Sequence, residues 1–267
     1  GVFLLVGTSG VGKTETALAL TDLLYGGERN IISINMSEYQ EAHTVSNLKG
    51  SPRGYVGYGE GGVLTEAVRR RPYSVVLLDE VEKAHPDVME LFFQVFDKGD
   101  LEDAEGRRID FKNTVIILTS NVGTDTIMRM CGRGAERPDP QEIVEAIRPE
   151  LNAQFKPALL GRLVVVPYYP INDEMLDRIT RLKLNKVVRR VEQNHGAYMT
   201  YDDAVVAALC ARCTDSDSGA RTIDNILTGS ILPEIAQTVL SRMAEGRRVE
   251  AIRLRAGEGG AISFDVN

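Results

Sequence analysis

Cysteine is scarce in this chain, and long apolar runs are missing. Three cysteines among 267 residues, Cys131, Cys210 and Cys213, are too few and too scattered for a disulfide framework, which points to a reducing compartment and a cytoplasmic location. Cys210-x-x-Cys213 has no second cysteine pair, and the only histidines are His43, His85 and His195. It therefore reads as two apolar-leaning positions on one helix rather than as a metal or redox site. No apolar run approaches the ~18 residues that mark a membrane-spanning helix, so no membrane insertion is expected. An excess of positive charge is also absent. The formal net charge of −7 argues against a surface built to neutralise nucleic-acid phosphates. The chain opens inside a strand pattern with no initiating Met, signal peptide or transit sequence, and we expect it to be a piece of a longer protein.

Glycine, by contrast, is placed with purpose. Gly7-Thr8-Ser9-Gly10-Val11-Gly12-Lys13-Thr14 satisfies Gly-x-x-x-x-Gly-Lys-Thr and follows the apolar run Val2-Phe3-Leu4-Leu5-Val6, so a strand delivers a phosphate loop to a helix. The glycines let the backbone turn tightly enough to aim N–H groups at a polyphosphate, and the helix adds the positive end of its dipole. Lys13 supplies a point charge for the β and γ phosphates, and the Thr14 hydroxyl is the expected ligand of an accompanying Mg²⁺.

The remaining apolar runs are those of an α/β fold. Residues 30–36, 74–78, 114–118 and 163–166 read as further buried strands alternating with helices, giving one doubly wound, parallel, five-stranded sheet. Ser37-Glu38-Tyr39-Gln40 has the form of a capping box opening a helix. Helix 15–25 is expected to pack one face through Ala17, Leu20, Leu23 and Leu24. The strand at 74–78 ends on Asp79-Glu80, at the sheet edge where open α/β folds bind ligands. Asp79 suits the Mg²⁺ shell and Glu80 a general base that polarises water. The strand at 114–118 carries Thr119, Ser120 and Asn121 to the same edge, where Asn121 either orients a water or caps the next helix. Residues 49–62 are too glycine-rich for regular structure, and their large side chains Tyr55, Val56 and Tyr58 either grip something or fold back on the core. Residues 98–113 read as an exposed hairpin or loop, and 124–140 as a flexible polar segment. The rhythm changes after Pro170. Helices at 173–193, 204–213 and 220–245, then a β-hairpin over 249–266, define a second, smaller, mainly helical domain. The expected domains are 1–169 and 170–267. Arg221 sits in a helix's first turn, where the dipole offers it nothing, so it faces either an external anion or plain solvent.

With the phosphate loop, Asp79-Glu80, Asn121, Arg162 and Arg221 in this order, the chain resembles an AAA+ ATPase module of the Clp/HSP100 class over essentially its whole length. Tyr25-Gly26-Gly27-Glu28, residues 35–43 and residues 90–96 make it most similar to the second ATPase domain of the ClpV family of type VI secretion ATPases, with the ClpB disaggregases as near relatives. The resemblance implies a homo-hexameric ring that hydrolyses ATP with Mg²⁺ and threads polypeptide through its pore, here the type VI secretion sheath. It also implies residue roles: Gly7 to Thr14 as Walker A, Asp79 and Glu80 as Walker B, Asn121 as sensor 1. Arg162 becomes the finger reaching a neighbour's γ-phosphate, Arg221 the sensor 2 residue over the protomer's own nucleotide, and Tyr55-Val56 the substrate-gripping pore loop. Thr8 departs from the Pro often found there, at a position that contributes only backbone. The family's adenine-contacting segment, first ATPase ring and N-terminal domain would precede Gly1. No Ile-Gly-Phe or Ile-Gly-Leu tripeptide occurs in the chain, so no protease partner is expected. A nucleic-acid motor or clamp loader would share the ATPase chemistry but would want basic pore loops, whereas residues 49–62 offer only Lys49 and Arg53 beside Glu60. A nucleotide-dependent assembly module without turnover would not need Glu80.

Overall fold

The computed structural model describes residues 1–51, 54, 59, 61–132, 137–214, 220–246, 248–257 and 261–267. They form two compact units, one of residues 1–8 and 12–170, the other of 9–11 and 171–267.

The first unit is built on the expected sheet. Strands β1 (Val2–Val6), β2 (Ile31–Asn35), β3 (Val75–Asp79), β6 (Val115–Ser120) and β7 (Val164–Pro167) run parallel in the order β2-β3-β6-β1-β7. Their side chains alternate between two faces. Leu4, Val6, Ile34, Val76, Leu78, Ile116 and Leu118 enter the larger core, while Leu5, Val75, Leu77 and Ile117 enter the core under α1 (Lys13–Tyr25). The central strands β1, β3 and β6, covered on both faces, have no polar side to show and read as aliphatic runs, whereas the edge strand β2 exposes Ser33 and Asn35.

Helix α1 corrects one expectation. Its buried positions are Lys13, Ala17 and Thr21, spaced four apart, with the Thr21 hydroxyl donating to the Ala17 carbonyl at 2.6 Å. Small side chains on that stripe let the helix lie close to the sheet. Leu23 and Leu24 therefore face outward, 82% and 52% exposed. A second correction concerns Ser37. Met36–Glu38 is a single 3₁₀ turn capped from Asn35, whose Oδ1 accepts from the Ser37 N–H at 3.1 Å and hydroxyl at 2.8 Å. Asn35, two residues earlier, claims the Ser37 N–H that a capping box would have used.

Short helices α2 (Val45–Lys49) and α3 (Val63–Arg70) flank the glycine-rich segment. A Cβ on Gly62 would lie 2.2 Å from the Leu48 carbonyl oxygen, so the two ends of that segment are pressed backbone to backbone in a way only glycine permits. Tyr55, Val56 and Tyr58 lie outside the described residues. Helix α4 (Pro86–Lys98) begins on Pro86 and ends on Gly99 at φ 72°, as its proline-first, glycine-last pattern predicts. The antiparallel hairpin of β4 (Asp100–Glu102) and β5 (Arg108–Asp110) follows. The segment expected to be flexible instead carries α5 (Thr124–Met130), because Ile127 is fully buried and draws the turn into the core. Helix α6 (Pro140–Gln154) opens with a capping box between Asp139 and Glu142, and the short α7 (Pro157–Leu160) leads to β7.

The second unit has its own core, centred on Leu184, Val205, Leu209, Ile223, Ile252 and Leu254. Helix α8 (Asp173–His195) ends at Gly196, and α9 (Asp203–Thr214), α10 (Ala220–Ile226) and α11 (Leu232–Ala244) follow. Between α10 and α11, Leu227–Ile231 form a π turn. Pro233 has no N–H for the Gly229 carbonyl one turn back, and its ring crowds that carbonyl, which accounts for the widened spiral. The expected terminal hairpin, β9 (Ala251–Ala256) with β10 (Ile262–Val266), gains a third strand. β8 (Tyr198–Thr200) pairs parallel with β9. At three residues it is too short to show an alternation. Cys210 and Cys213 lie on α9 as expected, where burial raises the Cys213 thiol pKa. Among the described residues no His, Cys, Asp and Glu cluster suits a metal ion, and no helix is long and apolar enough to cross a membrane.

Candidate active site

The site forms at the carboxyl edge of the sheet because parallel registry ends β1, β3 and β6 together. Val6 pairs with Ser120 and Leu78 with Leu118, and the Gly7 N–H donates to the Ser120 carbonyl at 3.3 Å. The phosphate loop leaves β1 through Gly7, Gly10 and Gly12 at φ 154°, 77° and 98°, a geometry closed to most side chains. At Gly7 a Cβ would lie 2.9 Å from that of Tyr168, so this glycine is needed for packing as well as for the turn. Gly12 is the N-cap of α1 and no side chain caps the helix there, leaving first-turn N–H groups available to an anion.

Lys13 is only 8% exposed. Its Nζ donates to the carbonyls of Gly7 at 2.6 Å and Thr8 at 2.8 Å, and to Asn121 Oδ1 at 2.9 Å. A buried ammonium over an uncapped helix start and a left-handed glycine loop is the donor chemistry a polyphosphate requires. Asn121 does not cap the next helix: the N-cap of α5 is Gly123, without a side-chain cap, and the Asn121 amide oxygen accepts from Lys13.

Asp79 and Glu80 end β3 as expected, and Thr119 organises both. Its hydroxyl donates to Asp79 Oδ1 and accepts from the Glu80 N–H at 3.1 Å. Glu80 has φ 57° and ψ 50°, and among the described residues it is the one non-glycine at positive φ. That conformation costs about 1–3 kcal/mol. It turns the chain sharply off the strand end, and strain of this kind gathers at functional positions. Thr14 and Asp79, both half-buried, provide a hydroxyl and a carboxylate suited to Mg²⁺, a hard cation that takes oxygen ligands.

Arg162 keeps separate company. Its guanidinium donates to Asp97 Oδ1 at 2.8 and 3.2 Å and to the Ala158 carbonyl at 2.8 Å, and lies 4.3 Å from the Phe93 ring centre. Arg221 is an exposed residue of α10 in the second unit. The sequence brings Thr119 to this edge without giving it a role, and it does not single out Glu82. Thr119 follows from the registry of β3 with β6. Glu82 stands in the charged run Asp79-Glu80-Val81-Glu82-Lys83, which gives no hint of burial.

Comparison with known proteins identifies the family of the chain. Residues 1–166 match the family model described as AAA domain (Cdc48 subfamily), and residues 171–251 match the C-terminal, D2-small domain of ClpB protein. The chain is 60% identical over 254 residues to the AAA+ ATPase ClpV1 of Pseudomonas aeruginosa, covering 95% of this chain and 28% of that protein. It is 57% identical over 240 residues to the chaperone protein ClpB of Yersinia enterocolitica, covering 90% of this chain and 27% of the relative. A closed-state structure of Hsp104 with ATPγS and FITC casein superposes with a TM-score of 0.83 at 30% identity, over 100% of this chain and 45% of that one. The chain thus spans less than a third of the length of these two relatives. With the phosphate loop at the edge of a five-stranded parallel sheet and the family match running through it, the chain belongs to the AAA domain family (Cdc48 subfamily) and is similar, within it, to the ClpV and ClpB proteins.

Proposed function

We propose that this chain is the ATP-hydrolysing module of a protein-remodelling motor, a homo-hexamer in the full-length protein, that threads polypeptide through its pore. The observation that carries the reading is the Lys13–Asn121 contact of 2.9 Å beside an uncapped helix start, between the residues we assign to phosphate binding and to sensing hydrolysis. ATP, when bound with Mg²⁺, supplies the phosphoanhydride to be cleaved. The chain's residues do the rest. The backbone from Gly7 to Gly12 and the Lys13 ammonium hold the phosphates, and Thr14 and Asp79 hold the metal. Glu80 takes the proton of the attacking water, and Asn121 orients that water. Arg162 serves a neighbouring protomer's site, Arg221 the protomer's own nucleotide, and Tyr55 with Val56 grips the substrate. Residues 1–169 and 170–267 are the large and small subdomains of this module.

By resemblance to the ClpV family we propose contracted type VI secretion sheath as the cargo and, since the chain carries no Ile-Gly-Phe or Ile-Gly-Leu tripeptide, no protease partner. The similarity to ClpB, and to a structure of Hsp104 with ATPγS and FITC casein, supports the broader class of polypeptide substrates. The test gives the full-length protein purified contracted sheath and, separately, heat-aggregated model protein. ATP-dependent disassembly of sheath is expected. Disaggregation of the model protein with no action on sheath would favour the ClpB-type reading, and tight single-stranded DNA binding with neither activity would favour a nucleic-acid motor.

A further inference from the structure

Two residues past Glu80, the carboxylate of Glu82 is drawn inward. Its Oε1 accepts the backbone N–H of Asn121 at 3.2 Å, and the Glu82 carbonyl is fixed by Gln154 Nε2 of α6 at 2.8 Å. Its Oε2 is buried and, among the described residues, has no hydrogen-bond partner. Burying a carboxylate oxygen unsatisfied is costly, and the carboxylate serves a single backbone N–H in return, that of the residue whose side chain meets Lys13. Packing does not call for a glutamate here, because methionine has a similar shape and no polar atom to desolvate.

The geometry points to Glu82 as a positioning residue: its carboxylate holds the Asn121 main chain so that the Asn121 amide stands against Lys13, linking the turn after β3 to the end of β6. This rests on the nucleotide-site reading above. An amide held from its own backbone N–H has little freedom to drift when Lys13 exchanges its protein acceptors for a phosphate. Glu82 itself touches no reacting group and acts through Asn121.

Two variants test this in the full-length protein. Glu82→Met removes the acceptor while keeping the volume, and Glu82→Gln keeps one acceptor oxygen. The first readout needs no nucleotide: hydrogen–deuterium exchange of peptides spanning Asn121. Glu82→Met should speed exchange there about tenfold or more, and Glu82→Gln should restore protection. The second readout separates binding from turnover. Glu82→Met should bind fluorescent ATP analogue within about threefold of wild type yet lose about tenfold or more in kcat, with KM little changed and most of the loss recovered in Glu82→Gln. Unchanged exchange at Asn121 in Glu82→Met, or faster exchange with wild-type kcat, would overturn the proposal. A wild-type protein that binds no nucleotide would overturn the nucleotide-site reading instead, and the exchange result would still decide whether Glu82 holds Asn121.

Discussion

Lys13 and Asn121, 108 positions apart in the chain, meet with Nζ 2.9 Å from Oδ1. One opens α1 at the end of the loop after β1 and the other follows β6, so the contact depends on the Val6–Ser120 pairing that ends both strands at one level. A side-chain cation thus stands at the junction of the loop that would hold phosphate and the residue that would sense its cleavage.

Removing that cation should abolish binding. Lys13→Ala in the full-length protein is expected to weaken ATP affinity on the order of a hundredfold or more, since the ammonium and its charge-assisted contacts are lost together. Isothermal titration calorimetry checks this. Unchanged affinity would contradict it.

Thr119 should matter to stability and chemistry alike. It is 1% exposed, and its hydroxyl serves both Asp79 and the Glu80 N–H. Thr119→Val keeps the shape and strands both partners, at a cost of about 1–3 kcal/mol in urea unfolding. Thr119→Ser, which keeps the hydroxyl, should recover most of it. A valine variant as stable as wild type would show the hydroxyl to be idle.

Arg162 should be nearly silent in stability and conspicuous in mixtures. Its partner Asp97 is on the surface, so Arg162→Ala should cost about 1 kcal/mol or less. Added to wild-type protein, however, the variant should depress ATP hydrolysis more than simple dilution does, because each defective protomer spoils a neighbour's site. A linear dilution curve would contradict a role across the subunit boundary.

Glu66, on α3 next to the glycine-rich segment, has a pH signature. Hydrogen bonds from Arg69 and then Arg70 hold its carboxyl down at about 2, from an ordinary value of 4.5. A carboxylate whose folded pKa is depressed stabilises above its unfolded value and loses that contribution as pH falls through the folded one. Stability of Glu66→Gln should thus trail wild type at pH 7 and converge with it between about pH 4.5 and 2. Denaturant melts across that range check the convergence, and a gap independent of pH would refute it.

Much of this was legible in the sequence because the central strands β1, β3 and β6 are covered on both faces and so show as aliphatic runs. The motif residues sit at the ends of those runs, where registry alone brings them to one edge. Legibility failed where small or short features decide the outcome. Helix α1 packs through Ala17 and Thr21 rather than through its leucines at 23 and 24, since close approach to a sheet rewards small side chains over large ones. Strand β8 spans three residues, and Asn35 rather than Ser37 caps the turn Met36–Glu38. Glu82 was hidden for another reason: a charged side chain in a charged run gives no sign that the fold will bury it.

The central claim is that Glu80 is the general base of an ATP-hydrolysing site. Full-length Glu80→Gln tests it most directly, with Mg-ATP affinity and steady-state hydrolysis measured on the same preparation. Affinity should stay within a few-fold of wild type while kcat falls on the order of a hundredfold or more. Hydrolysis near the wild-type rate, with ATP bound as tightly, would contradict the account.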